Sequence, residues 1–319
     1  MLAGGLRGLH RAGHPMEGTQ QGVSDLVPAE EPVRDRWQRV DVLALLQAGL
    51  APHYTIEREI GAGGMAKVFL AQERHPPRKV AVKVLNPELS TPVFRSRFIR
   101  EVELVSKLSH PNIVPILAAD ECLFVSQGAD GLCYYVMPYV DGASLRVRLE
   151  RDRTLPLAEA LDILQQVAEG LSYAHAQGIV HRDIKPENIL VSGGRALLAD
   201  FGIARAISAA GGNTLTAVGN PIGTPGYMSP EQLVGMRTID ARSDIYSLGC
   251  VFYEMVVGHP PMLDVVAREL MGALRAQGVN RWVVRRVGRV LAHALAPAPA
   301  DRFTRVDDFA AELRAAVQV

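Results

Sequence analysis

The tightest constraint on this chain lies in one short stretch near its middle. His181-Arg182-Asp183-Ile184-Lys185-Pro186-Glu187-Asn188 puts a base, two cations and an amide into a single loop, and Asp200-Phe201-Gly202 follows twelve residues after Asn188. Between them, the apolar runs Ile189–Val191 and Ala196–Ala199 flank Ser192-Gly193-Gly194-Arg195, the pattern of a tight hairpin. A hairpin returns the chain to its starting point, so Asn188 and Asp200 are expected at the same end. An amide oxygen beside a carboxylate suits Mg²⁺, which takes a few protein oxygens and fills its shell with phosphate oxygens and water.

The segment upstream handles charge in a matching way. Gly61-Ala62-Gly63-Gly64-Met65-Ala66-Lys67-Val68 lies between two strand-like runs. Glycines let a backbone approach phosphate without a Cβ in the way, although a plain hairpin turn reads the same. It is not a Walker loop, since no Gly-Lys-Ser/Thr follows and the next element is a strand. Val80-Ala81-Val82-Lys83 then places a lysine in an apolar strand, with Ala81, Lys83 and Leu85 on one face. A buried lysine is costly unless paired. Phe94, Phe98, Glu101, Val105 and Leu108 form one helical stripe with Glu101 in its middle, which makes Glu101 the expected partner of Lys83.

Around these motifs the chain divides by pattern. Residues 1–36 are rich in Gly, Pro and polar residues and are expected to be a disordered extension. Residues 37–53 hold a short amphipathic leader helix, with Trp37, Val40, Leu43, Leu45 and Leu46 at roughly helical spacing. Residues 54–140 alternate as short strands around one helix, and residues 141–319 read as helices. The fold class is therefore α+β and bilobal, a sheet-rich first lobe joined to a helical second lobe. Zero formal net charge gives no pointer to nucleic acid or to an anionic membrane. Three cysteines without metal spacing fit a reduced, cytoplasmic setting. No run approaches the ~20 apolar residues of a membrane helix; the longest candidate, Tyr246 to Val257, carries Glu254.

These motifs together, from about Tyr54 to Leu313, resemble the eukaryotic-type serine/threonine protein kinases, most closely their bacterial branch. The glycine loop, VAVK, the helix Glu, HRDIKPEN, DFG, Ser229-Pro230-Glu231 and a late Arg302 occur in kinase order at kinase spacing. The resemblance implies transfer of the ATP γ-phosphate to Ser/Thr hydroxyls of protein substrates, with ATP and Mg²⁺ bound between the lobes. It implies that Gly61, Ala62, Gly63, Gly64 and Val68 cover the phosphates and that Lys83, paired with Glu101, holds them. Asp183 would accept the hydroxyl proton, Lys185 would neutralise the γ-phosphate, and Asn188 and Asp200 would ligate Mg²⁺. Val68 and Ala81 would roof the adenine and Leu190 would floor it. Met137 would be the gatekeeper, and Pro138, Tyr139 and Val140 the hinge. The third loop glycine is replaced by Ala66, and Pro138 lacks the N–H that the hinge position usually offers, so adenine must bond around Tyr139 and Val140.

Lys185, two residues after Asp183, and Gly223-Thr224-Pro225-Gly226-Tyr227 resemble serine/threonine rather than tyrosine kinases, with Thr224 contacting the catalytic Asp and Lys. Activating autophosphorylation is expected at Thr214 or Thr216, with Arg182 as the cation that would pair with the phosphate, and plain polar loop residues as the other reading. Glu231 and Arg302 are expected to form a buried ion pair, and Asp244 to brace the catalytic loop. Arg275, Arg281, Arg285, Arg286 and Arg289 read as a solvated helix face, with docking of an acidic substrate as the other reading. A homodimer through the first lobes, as in some relatives, is a further expectation of the resemblance. The chain ends just after the last kinase-like helix, which suggests a soluble kinase or a piece of a membrane-anchored one. Lys83, Asp183 and Asp200 are all present, against a nucleotide-binding relative without transfer activity. The long segment ending at Ser229-Pro230-Glu231 argues against a small-molecule kinase.

Overall fold

A computed structural model describes residues 42–63, 66–86, 92–122, 132–201, 225–236, 238–262 and 265–318, with 92–94 and 120–122 as backbone only. The first lobe is built on an antiparallel sheet of β1 (Tyr54–Ala62), β2 (Ala66–Arg74), β3 (Pro77–Leu85), β4 (Ala118–Cys122) and β5 (Leu132–Pro138), in spatial order β1-β2-β3-β5-β4. The central strands are the most apolar. Val80, Val82 and Val84 of β3 and Leu132 to Met137 of β5 are all buried, and β-branched residues suit a pleated strand packed on both faces. Register sets Ala81 opposite Met137 and Lys83 opposite Tyr135.

Two helices accompany this sheet. Helix α1 (Val42–Leu50) buries Val42, Leu46 and Leu50, four residues apart on one face, and Gln47 Oε1 accepts the Ile56 N–H at 2.9 Å. The leader helix thus packs on the sheet, against β1 and β4; Trp37 and Val40 fall outside the described residues. Helix α2 (Pro92–Val105) buries Phe98, Val102 and Val105. The chain leaving it is sewn to the second lobe. Val114 N–H donates to Leu198 O at 2.9 Å, Leu198 N–H to Asn112 O at 2.8 Å, and the Asn112 amide to Ala196 O at 2.9 Å.

The second lobe begins with β6 (Ala143–Ser144) and helices α3 (Leu145–Asp152) and α4 (Leu157–Ala176). A Cβ at Gly142 would collide with the Val191 carbonyl, so only glycine lets the chain pass so close to the next hairpin. That hairpin is β7 (Ile189–Ser192) and β8 (Arg195–Leu198), with Gly193 and Gly194 at φ +55 and +78. Two successive left-handed residues make the turn type that matches the twist of paired strands.

Helices α5 (Pro230–Leu233), α6 (Ala241–Val257), α7 (Val266–Ala276), α8 (Arg281–Ala294) and α9 (Val306–Val317) complete the lobe. Helix α6 contains the longest apolar run of the sequence and is buried on all sides from Ser243 to Val256, as an all-round apolar helix must be. It starts at Asp240, whose carboxylate caps the Arg242 N–H, and stops at Gly258, φ +101. Helix α8 buries Val283, Val284, Val287, Val290, Leu291 and Ala294 and turns Arg281, Arg285, Arg286 and Arg289 to the exposed side. Among the described residues, no helix is long and apolar enough to cross a membrane.

Candidate active site

The loop from His181 to Asn188 is held from below by Asp244 of α6. The carboxylate accepts the backbone N–H groups of His181 and Arg182, each at 2.8 Å, and His175 Nε2 at 2.8 Å. Burial pushes the Asp244 carboxyl up, but these donors outweigh it and keep it below the ordinary carboxylate range. The bracing role expected of Asp244 is therefore present in the geometry. The grip is needed because Arg182 sits at φ +66, a left-handed conformation costly for a residue with a Cβ.

His181 is fully buried and joins the loop to the strand before Asp200. Its Nε2–H donates to Ala199 O at 3.1 Å, and its Nδ1 accepts the Asp183 N–H at 3.2 Å. One donor and one acceptor is the pattern of a neutral imidazole, and burial lowers its pKa accordingly. The ring also lies 4.5 Å from that of Phe201.

Asp183 then sits among groups that fix its carboxylate. Lys185 Nζ lies 2.9 Å from Oδ2, and the Asn188 amide donates to Oδ2 at 3.0 Å and to the Asp183 carbonyl at 2.8 Å. With its NH₂ committed there, Asn188 has its amide oxygen as the remaining acceptor. Asn188 O accepts the Ala199 N–H at 2.9 Å, so the hairpin does bring Asn188 and the Asp200 end of β8 together.

Lys83 departs from expectation. Its ion-pair partner is Asp200, with Nζ 2.9 Å from Oδ2, rather than Glu101. The physical reason is burial. Helix α2 spends its inner face on Phe98, Val102 and Val105, all buried, and leaves Glu101 half-buried at its margin, where water can serve it, while Lys83 meets Asp200 with the two side chains 19% and 18% exposed. Asp200 Oδ1 also accepts the Tyr135 hydroxyl at 2.7 Å. Burial pushes the Asp200 carboxyl up, yet the Lys83 charge and the Tyr135 hydrogen bond hold it below the usual range, so it is charged at neutral pH.

The expected adenine lining is gathered on the sheet and on β7. Val68 lies between Gly61 and Lys83 in the strand register. Ala81 and Met137 are buried neighbours across the β3–β5 pair, and Val68, Tyr139, Val140 and Leu190 are half-buried. Tyr139 N–H donates to Lys79 O at 3.2 Å. In the glycine loop, Gly61 and Ala62 end β1, and Gly63 N–H reaches Ala66 O at 2.9 Å. Gly64, Gly202, Thr214, Thr216 and Thr224 lie outside the described residues.

Two networks frame the centre. The buried pair Glu231–Arg302 is bidentate, at 2.7 and 2.8 Å, as expected. The other was not foreseen: Arg146 of α3 joins Glu187 at 3.0 Å, buried Glu254 at 2.8 Å and the Tyr227 hydroxyl, which itself donates to Glu254. Its sequence signal was weak, one arginine among several in Leu145-Arg146-Val147-Arg148.

Comparison with known proteins identifies the family. Residues 54–295 fit the protein kinase domain family model. This chain belongs to the protein kinase family. It is 44% identical over 216 residues to the serine/threonine-protein kinase PknB of Mycobacterium leprae, covering 67% of this chain and 34% of that protein. It is 39% identical over 282 residues to PknJ of Mycobacterium tuberculosis, covering 83% of this chain and 45% of that protein. The chain thus spans between a third and a half of the length of these relatives. The solved PknI kinase domain of Mycobacterium tuberculosis superposes with a TM-score of 0.65 at 32% identity, over 83% of this chain and 96% of that one.

Proposed function

We propose that the chain is a serine/threonine protein kinase that moves the γ-phosphoryl group of ATP to Ser or Thr hydroxyls of protein substrates. The observation that carries this reading is the convergence of Asp183, Lys185 and Asn188 on the end of the hairpin where Lys83 meets Asp200. The substrate hydroxyl gives its proton to Asp183 as its oxygen bonds to the γ-phosphorus, and the bond from that phosphorus to the ADP oxygen breaks. Lys185 neutralises the γ-phosphate oxygens. Lys83 holds the α- and β-phosphates after leaving Asp200. The backbone of Gly61 to Gly64 and the side chain of Val68 close over the nucleotide, whose adenine lies between Ala81 and Leu190, bounded by Met137 and bonded at the Val140 hinge. Glu101 takes up Lys83 when helix α2 moves inward, and Thr224 steadies Asp183 and Lys185.

The residues fit Mg²⁺. Asp200 is held charged, the Asn188 amide presents its oxygen, and two protein oxygens are the usual share for a Mg²⁺ that also binds phosphates. When bound, the ion neutralises charge on the transferring phosphoryl group. Little else is required of the protein than positioning and electrostatic stabilisation. Autophosphorylation at Thr214 or Thr216 belongs to the same proposal.

The test is incubation of the purified chain with Mg-ATP and a mixed protein substrate, with phosphosites read by mass spectrometry beside an Asp183→Asn control. Phosphate on Ser and Thr, lost in the control, is the expected result. Equal incorporation in both proteins, or incorporation on tyrosine alone, refutes the reading.

A further inference from the structure

Tyr135 is a buried polar group that the reaction scheme leaves unused. It stands in the middle of β5, directly across from Lys83, and is 3% exposed. A buried phenol needs a partner for its hydroxyl, and in a strand as apolar as Leu132 to Met137 the partner has to come from another element. That partner is Oδ1 of Asp200, at 2.7 Å. The other oxygen of the same carboxylate faces Lys83 Nζ, at 2.9 Å, and this ammonium lies 5.9 Å from the Tyr135 ring centroid.

The phenol is itself clamped. Phe98 of helix α2 packs on it at 6.5 Å between centroids, the rings tilted by 36°. The Tyr135 ring therefore cannot swing away without opening the packing between helix and sheet. Asp200 needs such a guide more than most aspartates, because its backbone sits at φ +58, where a residue with a Cβ is strained. The hydroxyl holds one carboxylate oxygen, and the plane of the carboxylate follows.

We propose that Tyr135 is a positioning residue for the metal site: its hydroxyl, fixed by the ring against Phe98, orients the Asp200 carboxylate toward the divalent cation. This rests on the reading of Asp200 as a metal ligand. A carboxylate oxygen carries two lone pairs, so the bond to Oδ1 persists while a cation replaces Lys83 at Oδ2. The phenol is neutral and adds no charge to oppose the ion. Hydrogen bonds that orient ligating groups typically change metal affinity by ~10–100-fold.

Tyr135→Phe removes the hydroxyl and keeps the ring on Phe98. The full chain, wild type and variant, is titrated with Mn²⁺ in the presence of a non-hydrolysable ATP analogue, with free Mn²⁺ read by electron paramagnetic resonance. Binding of a fluorescent ADP without metal and thermal melting without metal are measured in parallel. The expected result is Mn²⁺ affinity weaker by about 10-fold or more, with metal-free nucleotide binding unchanged. In turnover, the apparent KM for Mg²⁺ rises, and kcat recovers at high Mg²⁺. A merely structural role would instead lower melting temperature and nucleotide binding together and leave the Mg²⁺ dependence alone. Unchanged or tighter Mn²⁺ binding overturns the proposal. Asp200→Asn separates the two ideas: if it abolishes Mn²⁺ binding while Tyr135→Phe does not alter it, only the role of Tyr135 fails. If Asp200→Asn leaves Mn²⁺ binding intact, the metal-ligand reading fails and the proposal with it.

Discussion

Replacing Arg302 by methionine should destabilise the second lobe far more than an ordinary surface change, and the structure says why. The guanidinium is 0% exposed and makes five hydrogen bonds. Two go to Glu231, at 2.7 and 2.8 Å, and three to the carbonyls of Ala296, Pro297 and Arg242, at 2.7, 2.8 and 3.1 Å. Methionine fills much of the volume but leaves the Glu231 carboxylate, 4% exposed, with Ser243 as its one remaining side-chain donor from another element. Breaking one side of a buried pair costs ~3–5 kcal/mol, a large part of the ~5–15 kcal/mol that holds a typical domain together. In a domain of this size that is a fall of roughly 6–20 °C in melting temperature. Replacing both partners by apolar residues, Glu231→Leu with Arg302→Met, removes the stranded charge and should cost less than the two single changes added together. The assay is chemical and thermal denaturation of the four proteins of the cycle. Single variants that cost under about 1 kcal/mol, the level of an exposed pair, or strictly additive losses, refute the reasoning.

Acid offers a second measure of the same pair. Burial pushes the Glu231 carboxyl up, but Arg302 and Ser243 outweigh it and bring it from 4.5 down to about 2. A depressed carboxyl contributes stability above its unfolded pKa and loses it as pH falls toward the folded value. That contribution should be lost as pH falls from about 4.5 to about 2. In Glu231→Gln, denaturation midpoints should show less of this acid slope. Arg146→Ala strands Glu254, which is 2% exposed, beside Tyr227, and should cost about 3 kcal/mol in denaturant unfolding. Asp244→Asn keeps the shape but weakens the acceptor for two backbone N–H groups, so kcat should fall at least about 10-fold with nucleotide affinity nearly unchanged; equal losses in both would contradict the bracing role.

What the sequence made legible was local. Asn188 and Asp200 meet because a Gly-Gly turn and two short apolar runs allow only a tight hairpin. The Glu231–Arg302 pair and the brace of Asp244 came with the family resemblance, and the hydrogen bonds bear them out. The partner of Lys83 was not legible. A stripe at three- and four-residue spacing holds Phe98, Glu101, Val102 and Val105 within one broad helix face, and the pattern cannot say which of them points deepest. Burial decides it, giving the interior to Phe98 and Val102 and the margin to Glu101. Tyr135 was hidden for a related reason. In an apolar run an aromatic reads as packing, and only cross-strand register reveals that its hydroxyl lies beside a charged pair.

The stitching of the chain after α2 onto β8 has a mechanical consequence. Those bonds moor Asn112 and Val114, in the segment that follows the helix, to the strand that leads into Asp200. A rotation of the helix about its Val105 end would be a lever motion. At 1.5 Å per residue, Pro92 stands ~20 Å from that end and Glu101 ~6 Å. A tilt of about 10° would sweep the Pro92 end through ~3.5 Å but carry Glu101 only ~1 Å. A push on the Pro92 end would then reach Glu101 as about a third of the displacement, with a corresponding gain in force on the carboxylate.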